Sequence, residues 1–162
     1  MSTNLISMLI LLIPLGILGN YGVHLYFKNK RKLLFKSIGE KLFVEIKNID
    51  VEMYATNKLG VSSKFFNSDI ILFENTLLLL LRNKIINTNS SIMQLSKSDD
   101  FDKLEGVGNR FTIGKKEYLT NKIKLISTRY SSPTIVFEVN LEFKAQLEEL
   151  QVVKEFLESV EI

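Results

Sequence analysis

The one histidine of this 162-residue chain, His24, lies in LLIPLGILGNYGVHLYFKNKRK (Leu11–Lys32), between an apolar run and a block of cations. Cysteine is absent. A Ser–His–Asp triad needs an imidazole beside its nucleophile, and a structural zinc site needs several His or Cys ligands. Neither can be assembled from these residues, so no catalytic residue, metal site or cofactor is expected, and the protein reads as a non-enzyme. Three weaker patterns remain. Asp99, Asp100 and Asp102 cluster as hard-cation ligands do, but the Gly and terminal Glu of a calcium loop are missing. Gly106-Val107-Gly108 with Arg110 could cradle a phosphate, yet no Lys-Ser/Thr follows and the next segment reads as a strand, so a glycine turn is expected. Lys115-Lys116 after Gly114 is read as the basic tip of an exposed turn.

The elements that would position these residues begin with Leu5–Phe27, 23 residues without a charge. As a helix the stretch would extend about 35 Å, enough for a hydrocarbon layer of about 30 Å. A cleaved signal is disfavoured, because residues 1–4 carry no cation and the first Ala is Ala55. The expectation is therefore an uncleaved single-pass anchor with its basic flank over residues 1–32. Lys28, Lys30, Arg31 and Lys32 follow it directly, which by the positive-inside rule puts the N-terminus outside and the rest in the cytoplasm. These four cations are candidates for contact with the bilayer surface as well as for setting topology. Asn20 and His24, four residues apart, share one helix face and are candidates for contact with a partner helix. Residues 33–50 are read as a linker: helix to about Ile38, then, past Gly39, a first strand.

From residue 51 to 162 the chain reads as a mainly β domain. Asp69–Glu74 and Thr76–Arg82 flank a tight turn and predict a hairpin. The five leucines Leu77–Leu81 are too few to cross a membrane and suit a strand buried on both faces. Ile123–Tyr130 and Thr134–Phe143 flank Ser131-Ser132-Pro133 as a second hairpin, with Ile135, Phe137, Val139 and Leu141 alternating along its last strand. The period then changes. Leu147, Leu150, Val153, Phe156, Leu157 and Val160 recur at helical spacing opposite Glu148, Glu149, Lys154, Glu155 and Glu158, which predicts a closing amphipathic helix.

Charge narrows the partners. Residues 28–47 hold seven Lys/Arg against two Glu, whereas the remainder holds fourteen against sixteen Asp/Glu. The net charge of +3 is thus local to the segment after the apolar run, and the folded part lacks the basic footprint of a nucleic-acid binder. The hairpins DIILFENTLLLLLR and KLISTRYSSPTIVFEVNL with the helix KAQLEELQVVKEFLESV resemble the pleckstrin-homology-like superfold, including bacterial membrane-anchored and GRAM-type domains. The resemblance implies an α+β, mainly β domain: a partly open barrel of two sheets closed by the C-terminal helix. Some members bind phosphoinositides through clustered cations in the first strand–turn–strand unit. Only Lys58 and Lys64 are available there, so that site is not carried over. What the resemblance implies instead is a non-catalytic interaction or scaffold module that binds a protein partner at the sheet–helix groove. The alternative is a β domain binding a lipid or small ligand in the barrel or at its mouth.

Overall fold

Gly39 ends the first helix. It adopts φ +64°, a conformation costly for any residue with a Cβ, and its N–H returns to the Phe35 carbonyl at 3.1 Å. The structure, a computed structural model, describes residues 2–55, 62–82, 89–96, 104–129 and 132–159, the side chains of 2–13 and 132–134 excepted. Helix α1 spans Ser2–Ile38 and is followed by strands β1 (Val44–Ala55), β2 (Ser62–Phe73), β3 (Thr76–Arg82), β4 (Asn89–Ser96), β5 (Asn109–Leu119), β6 (Lys122–Arg129) and β7 (Ser132–Glu142), then by helix α2 (Leu147–Glu158).

The seven strands pair in chain order and β7 returns to β1, giving a closed barrel. The expectation of a partly open barrel is corrected here. All neighbours are antiparallel except β4 and β5, which run parallel from Met93↔Asn109 to Ser96↔Thr112 and join the two halves. A closed sheet has no free edge to pair with another strand.

Alternation along each strand sorts side chains to the inside or outside. Ile70, Leu72, Leu77, Leu79, Leu81, Met93 and Leu95 point inward with Phe111, Leu125, Val139 and Leu141. Val153 and Leu157 of α2 join this cluster and plug one end of the barrel. On the outside of β2–β4, Ile71, Phe73, Leu78, Leu80 and Ile92 form a second core with Leu34 and Ile38 of α1 and with Leu104. The leucine run is therefore buried on both faces, because helix α1 covers the side that a solvated barrel would leave polar. The outer face of β5–β7 is the opposite case. There Lys124 lies 2.9 Å from Glu138 and 4.0 Å from Glu117, and Lys122 lies 3.6 Å from Glu142.

The expected membrane anchor is overturned. Among the described residues no helix is long and apolar enough to cross a membrane. With it go the single-pass cell-membrane assignment and the N-outside orientation. Two physical reasons are visible. Gly16, Gly19, Asn20, Gly22 and His24 dilute the hydropathy of α1 ahead of its first cation, Lys28. Beyond Phe27 the same helix continues without a break and becomes part of the second core, where Leu34 and Ile38 are fully buried.

Candidate functional site

The residues singled out in the sequence do not converge. Lys28 and Lys32 are exposed, and Lys30 places its ammonium 4.8 Å over the Tyr26 ring. Arg31 is not a surface cation. Its Nη1 lies 3.4 Å from Asp69 Oδ2 on β2, and its Nη2 donates to the Leu81 carbonyl at 3.3 Å. Arg82 reaches the same carboxylate oxygen at 2.6 Å, and the Asp69 side chain is only 4 % exposed. Burial lowers the Arg31 pKa, with Asp69 opposing the shift. The Asn20 amide donates to the Gly16 carbonyl within its own helix, 2.9 Å away, and His24 Nδ1 is enclosed without a hydrogen-bond partner.

Gly106 is the turn expected from GVG, and its purpose is close approach. It sits at φ +85°, and a Cβ there would overlap the Lys30 carbonyl oxygen of α1. The pair Lys115-Lys116 lies within β5 rather than at a turn, because a register shift at Gly114 lets the strand continue to Leu119. Lys115 pairs with Glu117 at 2.7 Å. Lys116 donates to the Leu157 carbonyl at 2.8 Å, satisfying the C-terminal end of α2. Lys64 pairs with Glu52 at 3.0 Å. The acidic cluster Asp99–Asp102, like Lys58, lies outside the described residues. Among the described residues no three acidic or histidine side chains stand close enough to hold a metal ion.

The site that does form was not singled out in the sequence. At the end of the barrel away from α2, the C-terminal ends of β1, β3 and β6 meet the N-terminal ends of β2, β4, β5 and β7 around a cavity of about 210 Å³. Its floor is Leu81, Met93 and Phe111, all buried, with Met53 beside them. Phe137 meets Phe111 edge-to-face at 5.0 Å, and Phe65 closes another side. Two thioethers among three aromatic rings make an adaptable, polarizable wall. The rim is polar. Ser63, Ser91 and Asn109 line it together with Arg129, the one charged residue among the described lining. Arg129 is paired directly opposite Phe111 across β5 and β6, so both side chains lie on the inner face. Its Nη2 donates to Asn109 Oδ1 at 3.3 Å.

A second apolar surface lies at the α2 end. Leu42, Phe43 and Val44 form a groove with Val152 and Phe156 of α2, and Leu42 is 96 % exposed. The chain matches no known protein-family model and no curated protein.

The cavity could have been suspected from the sequence only in part. The alternation of Phe137, Val139 and Leu141 marks the inward face of β7. Which end α2 plugs, and that Arg129 stands beside Phe111, depend on the registry between distant strands.

Proposed function

We propose that this protein is a non-catalytic binding module whose barrel-end cavity takes a small apolar ligand. The observation that carries the reading is the cavity itself: an apolar chamber, lined by described residues of all seven strands, at one end of the barrel. Barrels of about this strand number are just wide enough to be packed solid or to hold one small ligand. A volume of about 210 Å³ corresponds to roughly seven water-sized groups at about 30 Å³ each. The described lining has a guanidinium, an amide and hydroxyls but no carboxylate or imidazole to move a proton. That chemistry favours binding over catalysis. The resemblance to pleckstrin-homology-like domains stays a proposal, supported by seven strands with a closing C-terminal helix.

The test uses the methionines. The chain has four, and two of them, Met53 and Met93, are in the described lining of the cavity. In a methyl-labelled sample, 1-octanol is expected to shift the Met53 and Met93 resonances saturably. Seven buried methylenes at about 0.8 kcal/mol each, set against the cost of association, predict a dissociation constant between high micromolar and millimolar. No saturable shift at Met53 and Met93 would remove the proposal.

The interaction-module reading retains one supporting surface, the Leu42–Phe43 groove beside α2. A partner whose binding is lost in Leu42→Glu but kept when the barrel cavity is filled would move the function there.

A further inference from the structure

We infer that the ligand of this cavity is an amphiphilic monoanion, a carboxylate-type head on a short apolar body, with the head held by Arg129. The inference rests on the cavity reading above and adds the chemical class. Arg129 sits on the inner face of the barrel, opposite a buried phenylalanine, in a wall whose other described members carry no charge. A cation beside low-dielectric side chains is costly to leave unmatched. Its partner in the structure is a neutral amide oxygen, Asn109 Oδ1, which engages one terminal nitrogen. A guanidinium has five donors in a planar fork, a geometry matched to two oxygens of one anion. The remaining donors, the Asn109 amide N–H groups and the hydroxyls of Ser63 and Ser91 are the head-binding set, and Phe111, Phe137 and the two methionines receive the tail. The charge and the chamber together select against two other classes. A polyanionic headgroup would meet one cation among the described lining where it needs several, and a neutral alkane would leave the guanidinium without an anion.

Octanoate and 1-octanol share a tail of the size the cavity holds and differ in the head. Both are titrated into the full chain, and the Met53 and Met93 methyl signals are read. Octanoate is expected to bind about ten- to a hundredfold more tightly, the range for a charge-assisted hydrogen bond. Its affinity should also fall with added salt while that of octanol does not. In Arg129→Gln the octanoate preference should vanish, and in Arg129→Lys part of it should remain. Equal affinities in the parent protein overturn the inference and leave the cavity reading standing. Binding of neither probe overturns both. If Arg129→Gln weakens both probes by the same factor, the preference for octanoate survives without the guanidinium and the inference is overturned.

Discussion

Asp69→Asn is expected to destabilise the protein far more than Arg31→Met, although the two side chains face each other. The carboxylate of Asp69 receives Arg82 at 2.6 Å and Arg31 at 3.4 Å, and its side chain is 4 % exposed. At an effective dielectric near 20, charges about 4 Å apart attract by about 4 kcal/mol before desolvation is counted. Removing the negative charge strands two guanidiniums, which already disfavour each other. Breaking a fully buried pair typically costs about 3–5 kcal/mol. Arg82 is 29 % exposed and Asn can still accept one hydrogen bond, so about 2–3 kcal/mol is expected. Arg31→Met leaves the shorter Asp69–Arg82 pair intact and sacrifices mainly the longer contact and the bond to the Leu81 carbonyl, about 1 kcal/mol. The double variant should be more stable than Asp69→Asn alone, because one stranded charge is gone. Urea unfolding followed by circular dichroism, with the four proteins compared as a double-mutant cycle, measures this. Equal costs for the two single variants, or strict additivity in the double, would refute the assignment of Asp69 as the shared neutralising group.

Further predictions follow from packing and charge. Leu78→Ala and Leu79→Ala point to opposite faces of β3, yet both should cost about 2–5 kcal/mol in the same urea assay, since both positions are fully buried. Gly106→Ala should cost at least about 1–2 kcal/mol from its positive φ alone. It should also speed amide exchange in residues 30–38, because the new methyl group would displace the Lys30 carbonyl. The Lys124 hydrogen bond holds the Glu138 carboxyl below its ordinary 4.5, and Glu138 raises Lys124 above 10.5. Glu138 therefore contributes stability that is complete above pH 4.5 and is lost as pH falls through its depressed value. The Lys124 share is complete below pH 10.5 and is lost above it. Melting temperature should fall below pH 4.5 and above pH 10.5, and both slopes should shrink in Lys124→Met.

Local signals in the sequence carried far. The Glu74-Asn75 turn, the apolar strand Leu77–Leu81, the helix end near Ile38 and the closing helix after Lys144 are each signalled by residues close together in the chain. What the sequence concealed depends on distance. Arg31 reads as a topology signal because its partner Asp69 is 38 residues away. Lys116 reads as a turn tip because the carbonyl it meets belongs to α2, 41 residues on. The apolar run before Lys28 suggested a membrane span, since nothing local shows that the same helix continues onto an apolar sheet face at Ile71, Leu78 and Leu80. Barrel closure rests on a parallel β4–β5 pair, which hairpin logic does not anticipate. The cavity joins residues from Met53 to Phe137 and has no sequence motif of its own.

The exposed apolar side chains Leu15, Ile17, Leu18 and Tyr21 of α1 are a competing site for an apolar probe, as is the Leu42–Phe43 groove. The most direct measurement therefore locates the tail of bound octanoate through intermolecular nuclear Overhauser effects. The account predicts contacts from its terminal methyl group to the Met93 methyl and the Phe111 and Phe137 rings, deep in the barrel. Contacts to Leu15, Ile17 or Tyr21 in their place would contradict it.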